Sequence, residues 1–198
     1  MKCPPKFAVF VDRDGVITDL PNYKESNEVE FISKKEHIKF IDGSIEAIKL
    51  LNSNKIPIII ISNQPQIARG LATKKQIDDI NKEIIKMLRK DDASIDSIYY
   101  CPHHPTKGIN KYKIDCNCRK PKPGLILKAA EDHNISLKES YMIGDRISDI
   151  KAGFLASCKT IGVETGYACN DGFKDATPKA KAKNFLEAVK LILRENKK

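Results

Sequence analysis

Apolar residues follow two rhythms along the chain. Short apolar or β-branched runs recur at Phe7 to Val11, Ile56 to Ile61, Ile95 to Tyr100, Ser140 to Ile143 and Lys159 to Val163. Such runs suit strands buried on both faces of a parallel sheet. Pro57 belongs at the very start of its strand, since it offers no donor to the ladder. Between the runs, apolar positions three or four apart predict helices. Ile45, Ile48 and Leu51 form one stripe, capped by Asp42 or Ser44 and ended by Asn54. Thr73 and Gln76 make a capping box ahead of Ile77, Ile80, Ile84 and Leu88. Pro123 suits the first position of a helix reaching His133. Ser148 to Ser157 reads as helical, and Asn184 with Glu187 opens a helix carrying Phe185, Val189 and Ile192. Ser136 and Glu139 form a second capping box on a short helical turn. Lys179 to Lys183 reads as a solvated loop.

Strand and helix alternate throughout, which predicts an α/β fold: a parallel sheet with helices on both faces. With no repeat and no linker-like stretch, residues 1–198 are expected to form a single domain. Asp14 to Ser62 leaves room for a flap, one helix and a strand, and Asn63 to Arg119 for one helix, one strand and a cysteine-rich loop. No large cap domain fits in either interval.

Charge changes the picture modestly. The net charge of +9 points to an anionic partner, a phosphorylated metabolite or nucleic acid. The excess is spread over helices and tail, and the chain has no Trp, which disfavours nucleic acid. No apolar run approaches a membrane span, and the first is five residues ending before Asp12, so neither a leader nor a membrane partner is expected. The expectation is a monomeric cytoplasmic protein acting on a small molecule.

Three of the six cysteines lie between Cys101 and Cys118. Cys101, His103, Cys116 and Cys118 supply four soft ligands around one loop, the number a structural zinc ion takes. A disulfide framework would be denser and more even. His104 is not needed as a ligand, and the loop ends directly at Arg119 and Lys120.

The strand ends carry the candidate chemistry. Asp12 and Asp14 follow the first strand, Ser62 and Asn63 the second, Arg119 and Lys120 the cysteine loop, and Asp145 the fourth strand. Ligands of open α/β sheets bind at such ends. Taken alone, the aspartate pair admits a turn, a calcium loop or paired acid chemistry. An EF-hand starting at Asp12 would need glycine where Ile17 stands and glutamate where Tyr23 stands, so the calcium loop is rejected. Phosphoryl transfer needs a nucleophile, carboxylates for a divalent cation, hydroxyl or amide donors and a fixed cation, and these groups supply them in order.

Phe10-Val11-Asp12-Arg13-Asp14-Gly15 resembles the first motif of the haloacid dehalogenase (HAD) superfamily of aspartate-dependent phosphatases. Ile61-Ser62-Asn63-Gln64 is similar to its second motif, Lys120 to its third and Gly144-Asp145-Arg146-Ile147-Ser148-Asp149 to its fourth. Together with Ile67-Ala68-Arg69-Gly70, Cys101-Pro102-His103-His104 and Cys118-Arg119-Lys120-Pro121, the set resembles the D-glycero-D-manno-heptose 1,7-bisphosphate phosphatases. The related histidinol-phosphatases share much of it.

The resemblance implies a Mg²⁺-dependent phosphatase releasing the 7-phosphate of that bisphosphate, in nucleotide-activated heptose (cell-surface polysaccharide) biosynthesis. It implies Asp12 as nucleophile, forming an aspartyl-phosphate, and Asp14 as general acid and base. Mg²⁺ would be held by the Asp12 carboxylate, the Asp14 backbone carbonyl and the Asp145 carboxylate, with Asp149 supporting. Ser62 and Lys120 would bind the transferring phosphoryl group, and Asn63, Arg119 and Arg146 the rest of the substrate. The family's zinc loop matches the four ligands named above. Pro65-Gln66, Arg146 and Leu20-Pro21-Asn22-Tyr23 depart from the usual family residues and leave histidinol phosphate open as substrate. Substrate choice is expected to rest on residues 19–25, Pro65-Gln66 and the zinc loop. A zinc-containing nucleic-acid module would need more basic and aromatic residues there than Lys107, Lys111, Tyr112 and Lys113. A catalytically dead HAD scaffold would lack one of the acidic motifs, and all are present.

Overall fold

A computed structural model describes residues 7–20, 31–32, 34–171 and 175–196. The expected substrate loop around Pro21 to Tyr23 lies outside these residues, as does Cys3.

Six parallel strands form one sheet in the order β3-β2-β1-β4-β5-β6. They are β1 (Val9–Val11), β2 (Ile58–Asn63), β3 (Ser97–Cys101), β4 (Tyr141–Gly144), β5 (Lys159–Val163) and β6 (Ala180–Ala182). Five helices connect or flank them: α1 (Ser44–Ser53), α2 (Lys74–Lys90), α3 (Gly124–His133), α4 (Ile147–Leu155) and α5 (Phe185–Glu195). The chain runs outward from β1 to β3, then crosses back to β4 on the other side of β1. The strand order therefore reverses between β1 and β4, the place where open α/β sheets bind ligands.

Side chains along each strand alternate between two cores. Val9, Val11, Ile58, Ile60, Ile143 and Ile161 pack with α1, α2 and α5. Phe10, Ile59, Ile61 and Met142 pack on the other face with α3 and α4. Both faces of β1 are covered, which is why its residues are uniformly apolar. The Thr73 capping box and the Asn184 cap form as expected: Thr73 Oγ1 accepts the Gln76 N–H, and Asn184 Oδ1 accepts the Glu187 N–H.

Three local expectations are corrected. Neither Asp42 nor Ser44 caps α1. The cap residue is Gly43, in the left-handed region at φ 81°, which has no side chain to offer a cap bond. A Cβ there would come within 3.2 Å of Leu186 on α5, so close helix contact selects glycine. Ser136 to Glu139 is a turn and not a helical segment. It is too short to repay helix nucleation. Instead Ser140 Oγ donates to Ser136 O and accepts the Ala8 N–H, tying the start of β4 to β1. The lysine-rich stretch Lys179 to Lys183 holds an edge strand, β6, in register with β5 through Ile161–Ala180 and Val163–Ala182. Its small residues alternate with exposed Lys181, a charged-edge pattern that discourages further pairing.

Phe185 is buried where α5 meets the sheet. Phe185→Ala is expected to lower stability by about 3–5 kcal/mol in denaturant unfolding. Turnover of the folded variant should stay unchanged, because the site lies elsewhere.

Candidate active site

Register puts the acidic groups side by side. Val11 pairs with Ile143, and the Asp12 N–H extends the ladder by donating to Ile143 O at 3.0 Å. Asp12 and Asp145 thus leave adjacent strands at the same level. Gly15, at φ 91°, turns the chain away, and a Cβ there would collide with the Asp145 carboxylate. Ser62, one step along on β2, lies at the same sheet end. Asp12 and Ser62 line a cleft of about 390 Å³, and Asp145 is fully buried beside it.

The carboxylates of Asp12, Asp145 and Asp149 are buried, with one oxygen from each lying within 4.8 Å of the others. Lys120 threads between them. Its Nζ lies 2.9 Å from Asp12 Oδ1, 2.7 Å from Asp149 Oδ1 and 2.6 Å from Ile61 O. Burial alone would depress the Lys120 ammonium, but Asp12 and Asp149 outweigh it and hold the group above its ordinary value. Burial pushes the Asp12 carboxyl up to about 6; Lys120 opposes this, while Asp149 and Asp14 add to it. Asp145 is raised well above the usual range by burial and by its two acidic neighbours.

The two oxygens of Asp145 differ. Oδ2 accepts the Tyr167 N–H at 2.8 Å, while Oδ1 is buried with no hydrogen-bond partner among the described residues. An orphaned carboxylate oxygen beside a second buried carboxylate fits a hard, oxygen-seeking dication. Asp149 fits less well as a direct ligand. Its Oδ1 is paired with Lys120, and its Oδ2 accepts the Arg146 N–H at 3.0 Å.

Asp14 sits on a different support. Arg13 is fully buried and grips it with two bonds, Nε to Oδ1 at 2.9 Å and Nη2 to Oδ2 at 2.8 Å. Gln64 Nε2 and Thr18 Oγ1 also donate to this carboxylate. Burial would raise Asp14, but the Arg13 charge and these hydrogen bonds win and hold it below the usual carboxylate value. The rest of the Arg13 fork is satisfied by Asn81 Oδ1 at 2.7 Å and Gln64 Oε1 at 2.8 Å. Gln64 in turn donates to Ser62 Oγ and accepts from Gln66. As it stands, these partners favour the ionised form of Asp14. An arriving phosphate dianion would raise it toward the acid form.

Asn63, expected to meet substrate, lines the cleft but has both ends of its amide engaged by Lys120. Its Oδ1 accepts the Lys120 N–H, and its Nδ2 donates to Lys120 O. Arg119 Nη1 donates to His103 O, and Arg146 stacks 3.5 Å from the Tyr167 ring centroid. Both arginines line the cleft, as does His104, whose Nδ1 accepts the Lys107 N–H and which is not part of the Cys/His cluster.

The cysteine loop converges. Cys101 Sγ lies 3.5 Å from Cys116 Sγ and 3.2 Å from Cys118 Sγ, and the last two are 3.0 Å apart. His103 Nδ1 is 3.4 Å from Cys118 Sγ and 3.8 Å from Cys101 Sγ. These separations exceed the ~2.05 Å of a disulfide. The His103–sulfur separations match the roughly 3.3–3.8 Å edges of a tetrahedral zinc site, and two of the three sulfur–sulfur ones are somewhat shorter.

Sequence reasoning missed Asn81, the inward face of Arg13 and the supporting role of Gln64; Gln66, expected to bear on substrate choice, is instead fully buried and bonds Gln64. Asn81 carried a signal: it lies on the buried stripe of α2 between Ile77 and Ile84, where a polar residue needs a buried partner. Arg69, Phe31, Tyr167 and Asp171 also border the site, and no periodicity marks them.

A parallel sheet with paired aspartates after its central strand, and a buried lysine and acidic pair across the switch point, defines a HAD-type phosphomonoester hydrolase. A family profile described as HAD-hydrolase-like matches residues 117–188. The D-glycero-beta-D-manno-heptose-1,7-bisphosphate 7-phosphatase of Pasteurella multocida is 38% identical over 173 residues, covering 86% of this chain and 89% of that protein. Its counterpart in Escherichia coli (strain K12) is 34% identical over 174 residues, covering 87% and 83%. Among solved structures, the D,D-heptose 1,7-bisphosphate phosphatase of B. bronchiseptica, complexed with magnesium and phosphate, superposes with a TM-score of 0.80 at 25% identity, over 96% of this chain and 99% of that one. The chain belongs to the D-glycero-D-manno-heptose 1,7-bisphosphate 7-phosphatase family of HAD hydrolases.

Arg13→Ala strips Asp14 of its bidentate partner and leaves Asn81 and Gln64 facing a void. The expected loss is about 3 kcal/mol or more at pH 7. Because Asp14 is held below its ordinary value, that stabilisation is present above the unfolded carboxyl pKa, about 4, and lost as pH falls through the folded one. The gap in unfolding free energy between wild type and variant should therefore be widest at neutral pH and narrow from about pH 4 downward.

Proposed function

We propose that this chain hydrolyses the 7-phosphate of D-glycero-D-manno-heptose 1,7-bisphosphate through an aspartyl-phosphate. The observation that carries the reading is the pairing of a buried Asp12 carboxylate with Lys120 at 2.9 Å, in a cleft that Ser62 and Asp14 also face. The names of the relatives supply the substrate.

The mechanism follows from the residues. Asp12, kept ionised by Lys120, attacks phosphorus as the bond to the sugar oxygen breaks. Asp14, raised by the bound dianion, gives its proton to that leaving oxygen. Lys120 Nζ and Ser62 Oγ bind phosphoryl oxygens as charge shifts onto them. Asp14, ionised again and held by Arg13, Gln64 and Thr18, takes a proton from water as the water attacks the aspartyl-phosphate. Inorganic phosphate leaves and Asp12 is restored. The Asp12 and Asp145 carboxylates and the Asp14 backbone carbonyl would hold Mg²⁺. When bound, that ion screens the repulsion between Asp12 and the substrate phosphate. Arg119 and Arg146 bind the phosphate that does not react. Asn63 contributes mainly by fixing the Lys120 backbone.

Cys101, His103, Cys116 and Cys118 would hold one structural zinc ion. The loop they close carries Arg119 and Lys120 into the site, so its rigidity sets where those cations sit. Among the described residues no helix is long and apolar enough to cross a membrane. The reading is completed by a single catalytic domain over residues 1–198, acting as a cytoplasmic monomer.

Asp12→Asn should abolish Mg²⁺-dependent phosphate release while leaving the unfolding transition in place. Retained turnover would refute Asp12 as nucleophile. Phosphate release measured across both heptose bisphosphate anomers, histidinol phosphate and fructose bisphosphate tests the substrate, and a preference for histidinol phosphate would reject it. Elemental analysis should find about one zinc per chain. Cys118→Ser should lower zinc content and turnover together.

A further inference from the structure

Arg69 belongs to the turn that follows β2, and neither the reaction nor the packing accounts for its charge. The turn is rigid. The Arg69 N–H donates to Pro65 O at 3.0 Å, the Gly70 N–H to Ile67 O at 3.1 Å, and Ala68 O accepts the Ile109 N–H at 2.8 Å. Buried Gln66 underpins it, its backbone carbonyl accepting the Leu71 N–H and its side chain bonding Gln64. The Arg69 guanidinium lies over the Phe31 ring, 5.5 Å from its centroid. Its Nε is buried without a hydrogen-bond partner, and no carboxylate among the described residues pairs with it.

Arg69 lines the same cleft as Arg119 and Arg146. These three guanidiniums come from three elements: the β2 turn, the cysteine loop and the N-terminal cap of α4. Among the described residues, the carboxylates lining the cleft are Asp12, Asp14, Asp149 and Asp171; Asp171 Oδ1 is occupied by the Ile147 N–H, and its Oδ2 is buried without a hydrogen-bond partner. An unspent buried donor on a held cation costs free energy in the empty cleft. That cost is recovered when an anion arrives. The phosphate that reacts is already served by Lys120 and Ser62, so the rim cations have nothing to bind unless the substrate carries a second anionic group.

We propose that Arg69 binds the non-reacting phosphate of the substrate and thereby sets a preference for sugar bisphosphates over monophosphates. This rests on the bisphosphate reading above. Planar guanidiniums match phosphate oxygens two at a time, and a third one on the rim turns a weak grip into a discriminating one.

The test compares kcat/KM for heptose 1,7-bisphosphate and for p-nitrophenyl phosphate, which has no second anion, in wild type, Arg69→Ala and Arg69→Lys. Arg69→Ala should lose about tenfold to a hundredfold on the bisphosphate. Its kcat/KM on the aryl phosphate should stay within about twofold, which also reports a folded, active site. Arg69→Lys should recover part of the loss by restoring the charge without the fork. An equal loss on both substrates makes Arg69 structural and overturns the proposal, as does no loss on either. A wild type that does not prefer the bisphosphate overturns the proposal together with the substrate reading. A wild type that prefers it, with Arg69→Ala preserving the preference, overturns the proposal alone.

Discussion

The site depends on one arrangement: a single ammonium set among buried carboxylates. Asp12, Asp145 and Asp149 converge because β1 and β4 are neighbours in register and α4 starts one turn beyond. Three buried acids this close cannot all ionise unaided. Lys120 neutralises part of that charge by bridging Asp12 and Asp149, and Ile61 O accepts a further hydrogen bond from Nζ. What remains is a negative hollow at the orphaned oxygen of Asp145, the natural seat for a dication.

Lys120 must therefore be placed closely, and it comes from a segment with no regular structure of its own. Two constraints fix it. Asn63 clasps its backbone from β2, and the four-residue cluster of Cys101, His103, Cys116 and Cys118 ends one residue before Arg119. Cys101 is itself the last residue of β3, paired with Asn63. The loop is thus pinned to the sheet at the same level as the acids it must meet. A loop without an apolar core would gain from a bound metal what a helix gains from packing.

The second aspartate needs the opposite environment. Asp12 is raised by burial and by its acidic neighbours, while Asp14 is drawn down by Arg13 and by hydrogen bonds from Gln64 and Thr18. Two carboxylates one residue apart are given different chemical tendencies by what surrounds them. The network behind Asp14 reaches Asn81 on α2 and Gln64 after β2, so helix packing and the support of the Asp14 carboxylate share residues.

Much of this was legible in the sequence. The apolar runs mark β1 to β5, since burial on both faces leaves an unbroken local signature. The aspartates, Ser62, Lys120, Asp145 and the cysteine loop are legible because they lie at strand ends in chain order. β6 was not legible: Ala180 and Ala182 are too small to signal a strand, and pairing with β5 makes one. The glycine cap of α1 was hidden as well, because it answers to Leu186, distant in sequence. Sequence alone determined which residues have the chemistry, since residue type and local order are written there. Tertiary structure decided which of them share a charge. The Lys120 bridge, the grip of Arg13 on Asp14, the engaged amide of Asn63 and the unspent Arg69 all arise from contacts across the fold. Electrostatics acts through distance in space, and the chain encodes that only after it has folded.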